Sequence, residues 1–405
     1  MSAVDVHYPE TEDEVARLVS EAKASSRPIE VRGGGTKLIL GRPSQSASAL
    51  SVAKLSGITN YDPSELVMAA RAGTPLAEIE AALAANNQML TFEPMDHRPL
   101  LGAVGEPTIG GVFAANASGP RRISAGAARD NLLGVRFVNG SGEIIKSGGR
   151  VMKNVTGLDL VKLMAGSWGT LGVMCEVTFK VLPRPETAVT IVVSGLNDAE
   201  AAEAMAAALA MSVEVSGAAH LPESVIHKFA GGSLKGGPAT ALRLEGLKPS
   251  VAVRTERLVA EMSRRGTVSI LDGQSSADLW RDVRDVAPFA DGTMKPVWRV
   301  SVAPSAGHQL VAALRLKTGV DAFYDWQGGL VWLRMEADPE AELVRQYIKA
   351  VGGGHATLVR ADAATRASVP VFEPQSKPLE ALARRIKDQF DPAGVLNPGR
   401  MTAGM

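Results

Sequence analysis

The chain has 405 residues, 43 basic and 43 acidic, for a formal net charge of zero; 45% are hydrophobic and 21% charged. That length predicts two or three domains with a substantial core, and the composition argues against extended disorder. Zero net charge excludes a global basic field for nucleic acid. The single cysteine, Cys175, excludes an internal disulfide, a self-ligated iron–sulfur cluster and a cysteine-rich zinc site.

In chain order, the opening MSAVDVHYPETEDEV carries acids early and no apolar core, so it does not read as a signal peptide. Thr11–Ser25 reads as a helix. Thr11 and Glu14 have capping-box spacing, and Val15, Leu18, Val19 and Ala22 form one apolar stripe. A short strand, Ile29–Val31, runs into Gly33-Gly34-Gly35. Val67–Ala72 is a second strand, followed by a helix with Thr74 as cap, Pro75 at its first position and Leu76, Ile79 and Leu83 on its buried face. Val135–Val138 and Glu143–Lys146 read as a hairpin turned by Asn139-Gly140-Ser141-Gly142. Val173–Val181 is a further strand, stopped by Pro183 and Pro185.

The composition shifts there, which sets a predicted boundary near Pro183–Glu186. Beyond it, Ala199–Ala210 reads as a helix capped by Asn197 and Glu200, and Val268–Leu271, Trp298–Val302 and Leu330–Met335 as strands. A basic helix, Lys377–Gln389, precedes a turn-rich tail, Phe390–Arg400. The longest apolar runs, such as Met205–Met211, fall far short of the ~18 residues of a membrane span, and there is no repeat of solenoid period. A cytoplasmic location follows, with membrane contact only through a partner.

Three segments concentrate small and hydroxyl-bearing residues: Arg32–Lys37 (RGGGTK), Thr108–Gly119 (TIGGVFAANASG) and Gly166–Gly172 (GSWGTLG). Successive unhindered N–H groups of this kind form anion-binding nests, and Thr36, Thr108, Ser118, Ser167 and Thr170 add hydroxyl donors. Window 98–160 holds eight basic residues (Arg98, Arg121, Arg122, Arg129, Arg136, Lys146, Arg150, Lys153) against four acidic ones, a local +4. A pyrophosphate fits this description. A lone glycine triplet is usually a tight turn, but three such segments beside predicted strands weigh against that. Neither G-x-G-x-x-G opening a helix nor G-x-x-x-x-G-K-[ST] is present, which excludes the Rossmann and phosphate-loop nucleotide sites.

From Pro9 to Pro185 the order and spacing resemble the FAD-binding domain of the vanillyl-alcohol-oxidase/p-cresol-methylhydroxylase (PCMH) superfamily. The tail FDPAGVLNPGR is similar to that of its 2-hydroxy-acid-oxidising branch. ASGPRR (Ala117–Arg122), RDNLLG (Arg129–Gly134), Gly148–Gly172 and KVLPRP (Lys180–Pro185) look like the FAD-binding (E) subunits of bacterial glycolate oxidases. So do WRVS (Trp298–Ser301), DWQGGLVWLR (Asp325–Arg334) and GGHATLVR (Gly353–Arg360) in the second half. The resemblance implies an α+β fold: a two-lobed PCMH-type FAD-binding domain at 1–185, a cap domain with an antiparallel sheet and covering helices at 186–375, and a tail, 376–405, that returns to the first domain.

It also implies FAD contacts at Arg32, Gly33, Gly34, Gly35, Thr36 and Lys37 in the first loop. In the second they fall at Thr108, Ile109, Gly110, Gly111, Asn116, Ser118 and Gly119, and in the third at Gly166, Ser167, Gly169, Thr170, Gly172 and Val173. Relatives with covalent FAD often carry histidine where Thr36 stands, so non-covalent FAD is expected. Trp168 is open between stacking near the cofactor and packing in a core.

Catalytic relatives carry an H-x-H-x-G-D-G-N segment and a later glutamate–histidine pair, and this chain has neither; its six histidines are scattered, so no metal site is expected. The expected activity is therefore that of an FAD-binding subunit of a glycolate oxidase complex. A catalytic flavin subunit would oxidise the 2-hydroxy acid, and an iron–sulfur subunit would pass the electrons on. The alternatives are a self-sufficient FAD-dependent oxidase for another alcohol or hydroxy acid, and a scaffold that has lost FAD. Hydride transfer from a 2-hydroxy acid needs a proton acceptor and cations for the carboxylate. His355 is a candidate base with Arg299, Arg334 or Arg360 as clamp, against packed or surface roles for all four. Trp298, Trp326 and Trp332 read as core anchors first and interface anchors second.

Overall fold

A computed structural model of the chain describes residues 5–46, 48–150 and 157–405. Lys153 and the 151–156 stretch of the Gly148–Gly172 motif lie outside the described residues.

The first helix is Glu12–Ser25, with Thr11 Oγ1 accepting from Glu14 N at 3.2 Å. Its apolar stripe buries Val15, Val19 and Ala22. Ile29–Arg32 emerges from it and pairs in parallel with Ser48–Ser51, which also pairs with Asp5–His7. This three-stranded parallel sheet is the first lobe. The second is a five-stranded antiparallel sheet in the order Ile58–Asp62, Val67–Arg71, Val173–Lys180, Leu132–Val138, Ile144–Gly148. The last two strands are the predicted hairpin. One core joins the lobes, from Val15 and Leu50 through Phe113, Phe137 and Phe179 to Val395 and Leu396 of the tail.

Two local readings change. Thr74 does not cap the helix Leu76–Ala85; Pro75 holds that position, and the Thr74 hydroxyl accepts from Gly57 N and donates to Arg71 O. The hydroxyl has a closer partner in the preceding turn. Pro183 does not simply end a strand: Leu182–Pro183 pairs with Gln88–Met89 as a two-residue ribbon.

From Thr187 onward the strands form one eight-stranded antiparallel sheet. Its centre is Gly217–Leu221 beside Val320–Asp325, and Val297–Val302 lies between Leu330–Met335 and Gly354–Arg360. Successive side chains alternate between faces. Trp298 and Val300 pack with the helices Gly307–Arg315 and Ala341–Ala350, whereas Val297 packs on the opposite face. Arg299 thereby turns away from the helices and toward the glycine-rich loops. Trp298, Trp326 and Trp332 are all buried.

The helix Asp198–Ala210 has the predicted reciprocal cap: Asn197 Oδ1 accepts from Ala199 N and Glu200 N, and Asn197 N donates to Glu200. Asn197→Ala is expected to lower unfolding free energy by about 1 kcal/mol, read from a urea titration.

The tail is tied back to the first lobe. Ile29 N donates to Val395 O at 2.8 Å, and Asn397 N to Ile29 O at 3.1 Å.

Candidate functional site

Three loops converge because backbone bonds join them. Gly166 N donates to Phe113 O and Trp168 N to Ala114 O, both at 3.0 Å, which fixes the third loop on the second. Asn397, from the tail, joins the first and third. Its Oδ1 accepts from Val31 N at 2.8 Å, and its Nδ2 donates to Trp168 O at 2.8 Å and Val31 O at 3.3 Å. Between the loops lies a cleft of about 770 Å³, open at its mouth.

Arg32, Gly33, Gly34, Gly35, Thr36 and Lys37 of the first loop line this cleft. So do Thr108, Gly110 and Gly111 of the second, and Ser167, Gly169, Gly172 and Val173 of the third. Asn116, Ser118, Gly119 and Gly166 instead line an adjoining chamber, which shares Ala115 and Trp168 with the cleft. Ile109 and Thr170 line neither: Ile109 is fully buried in the core, and the Thr170 hydroxyl donates to Ser167 O at 2.7 Å. Ser118 Oγ is engaged within the protein, accepting from Ala128 N at 2.9 Å. Trp168 packs at 5.5 Å from Phe372 while reaching both spaces.

Gly34 shows why the first loop needs glycine. A Cβ there would overlap the carbonyl oxygen of Glu106, so only a bare backbone passes. Ser167 Oγ is buried with no hydrogen-bond partner, a donor left for whatever fills the cleft. Lys37 is one of three basic residues lining the cleft, with Arg32 and Arg400. Burial pushes it down to about 8, partly opposed by Asp96. Sequence reasoning passed over two more lining residues, Asn397 and Arg400. Both sit in the NPGR segment, which reads as a turn; nothing local to it says that the turn ends between two loops far upstream. Arg400 donates to Lys37 O at 2.8 Å, and Cys175 is buried, which pushes its thiol up.

The adjoining chamber, about 1190 Å³, lies between the loops and the large sheet. Of the four residues considered for chemistry, His355 and Arg299 line it and Arg334 and Arg360 do not. Arg334 is paired with Asp291 and Asp321. Arg360 is buried on the carbonyls of Phe289, Lys295 and Leu100. His97, Arg122, Arg284 and Asp325 also line the chamber. Burial, with Lys37 nearby, pushes His97 down to about 3. Burial pushes Asp325 up to about 7, against the Trp326 N–H that its Oδ1 accepts at 2.7 Å. His355 is lowered by burial and by Arg299. Arg122 and Asp325 stand in the motifs ASGPRR and DWQGG, and Arg122 in the basic window, but neither was a sequence candidate for chemistry. Among the described residues no group of three His, Cys, Asp or Glu side chains comes together as a metal site.

Comparison with known proteins gives this geometry a context. A family described as FAD binding domain matches residues 5–148. Over 394 residues the chain is 36% identical to glycolate oxidase subunit GlcE of Escherichia coli (strain K12), covering 95% of each. It is 26% identical over 422 residues to glycolate oxidase subunit GlcD of Bacillus subtilis (strain 168), covering 98% of this chain and 88% of that one. Among solved structures, a 4-ethylphenol oxidase from Gulosibacter chungangensis in its isoeugenol complex superposes with a TM-score of 0.70 at 15% identity, over 98% of this chain and 88% of the other. Substrate-bound p-cresol methylhydroxylase gives 0.68 at 15% identity over the same shares. These structural likenesses establish the fold, which is the expected α+β, PCMH-type one. The glycine-lined cleft, its unpartnered Ser167 hydroxyl and its lysine fit a dinucleotide such as FAD.

Proposed function

The chain belongs to the family of the glycolate oxidase subunit GlcE, and from that premise we propose that it is the flavin-carrying subunit of a complex oxidising glycolate to glyoxylate. It is an FAD-dependent oxidoreductase by family. The match to GlcE over 95% of both chains carries the reading. In it, residues 1–185 are the FAD-binding domain, 186–375 the cap and 376–405 the returning tail. A catalytic flavin subunit performs the oxidation, and an iron–sulfur subunit takes the electrons onward; the lone, buried Cys175 agrees with a relay on another chain. A cytoplasmic complex, meeting the inner membrane only peripherally, fits a chain in which no described helix is long and apolar enough to cross a membrane.

When bound, FAD supplies an acceptor of two electrons. The protein's part is to hold it. The N–H groups of Gly33–Gly35 and the hydroxyls of Thr36 and Ser167 would donate to the pyrophosphate and ribityl oxygens, and Lys37 would add positive charge. Thr36 offers no imidazole for covalent attachment, which supports non-covalent FAD. Asn397 keeps the first and third loops at a fixed separation.

The test is the anaerobic visible spectrum of the purified chain as glycolate is added. Stoichiometric FAD whose absorbance band does not bleach is expected. Bleaching without a partner would overturn the division of labour. A colourless protein that cannot be reconstituted would overturn the flavin reading.

A further inference from the structure

Arg122 and Arg299 differ from the other arginines around the chamber. Arg284 is held in a two-bond pair by Asp285 at 2.8 and 2.7 Å. Arg334 and Arg360 are occupied as described above. Among the described residues, neither Arg122 nor Arg299 has a side-chain hydrogen bond or a carboxylate within ion-pair distance; both rest on the indole of Trp326, 4.3 and 4.9 Å from its ring centre. Both guanidinium groups therefore lie against one indole, and both line the chamber, so they border the same space.

Burial is the main cost of placing the two charges here. It lowers both guanidinium groups from their usual range, Arg299 to about 10 with the like charge of Arg122 as a second cause, and Arg122 with the like charge of Arg129 adding to the shift. Of the other chamber groups, Asp325 opposes the shift of Arg299 but does not cancel it. His97 and His355 are shifted toward neutrality, and Asp325 is only partly ionised at neutral pH. Trp326, the platform, is held with φ of 50° and its indole N–H on Gly119 O at 3.0 Å, so the fold accepts backbone strain to keep it there. The short helix Arg122–Ala125 that follows the second loop supplies Arg122 and the large sheet supplies Arg299, so the pair forms only when the two halves meet.

We propose that this chamber binds a small carboxylate anion between Arg122 and Arg299, giving this chain a 2-hydroxy-acid site of its own. The choice of a 2-hydroxy acid rests on the function proposed above; the anion site rests on the geometry.

The test is calorimetric titration of the FAD-loaded chain with glycolate and with glycolamide, its uncharged amide, with flavin content measured on every sample. Glycolate is expected to bind at least tenfold more tightly than glycolamide. Arg122→Met and Arg299→Met should each weaken glycolate at least tenfold while keeping their FAD, and Arg299→Lys should recover part of the loss. Should Arg299→Met fail to fold, Arg122→Met and Arg299→Lys carry the comparison. Equal binding of acid and amide, undiminished binding in the variants, or no binding to a fully loaded chain would overturn the site and leave the flavin reading intact. Loss of FAD from folded variants would overturn it too, because the arginines would then serve the cofactor. Bleaching by glycolate would uphold the site while removing the need for a catalytic partner.

Discussion

Glu93→Gln is expected to destabilise the folded chain by about 3–5 kcal/mol, the usual consequence of removing one partner from a buried ion pair. Glu93 belongs to the first half of the chain, and its carboxylate receives both terminal nitrogens of Arg243 at 2.9 Å from the large sheet. Arg121 also reaches it, through its backbone N–H at 2.8 Å and its guanidinium at 3.3 Å, and bridges on to Glu245. A neutral amide keeps the shape but leaves Arg243 facing only Glu245 at 3.4 Å. Chemical denaturation at pH 7 reads the loss, and an unchanged midpoint would show that the network contributes nothing across the junction.

The same pair sets acid sensitivity. Burial alone would raise Glu93, but Arg243 and Arg121 outweigh it and hold the carboxyl down at about 2, from an ordinary 4.5. A depressed folded value means the stabilisation is fully present above pH 4.5 and is lost as pH falls toward 2, about 3 kcal/mol over that window. Asp198 and Asp291, also held at about 2, act with the same sign. Wild-type stability should therefore hold down to about pH 5 and then fall, and Glu93→Gln should flatten that fall.

The elements were legible where one local force dominated. β-rich composition marked Leu330–Met335 to the residue, and Asn197 with Glu200 marked a helix start because the cap is made within three residues. The glycine loops were legible because bare backbone is needed wherever chains cross, as at Gly34. Their partition was not. Asn116 and Gly110 sit in one motif, yet the first lines the chamber and the second the cleft. That difference is set by Thr108–Ala115 turning into a short helix against Ala72, a tertiary contact. Arg299 and Arg360 looked equivalent as candidate clamps. The two side chains part company because three carbonyls from distant segments capture Arg360 and nothing captures Arg299. Asp325 opens a motif that carries the family resemblance, but nothing in that motif marks it as a raised carboxyl; that property comes from its burial at the end of the strand Val320–Asp325.

Lys387→Met is the second large effect expected, and its cause lies in the tail. The Lys387 ammonium is buried and donates to Asp391 at 2.6 Å, Thr170 O at 2.7 Å and Leu396 O at 2.9 Å. Burial lowers its affinity for a proton, and Asp391 opposes that shift. One side chain therefore joins the last helix, the third glycine loop and the segment that leads to Asn397. Methionine fills the volume but strands the Asp391 carboxylate, which keeps only the backbone N–H groups of Val395 and Leu396, so about 3–5 kcal/mol should be lost. The loss should appear first at the cofactor. Without this anchor, Asn397 no longer holds Val31 and Trp168 at a fixed distance, and the cleft opens before the cores melt. On heating, flavin fluorescence should rise below the temperature at which circular dichroism is lost, whereas in wild type the two should coincide. Lys387→Met combined with Asp391→Asn should recover part of the stability, because no unpaired charge is then buried and the amide oxygen still accepts one of the two N–H groups that the carboxylate takes on separate oxygens. Coincident transitions in the single variant would mean that the tail's clamp stabilises the fold as a whole and does not gate FAD retention.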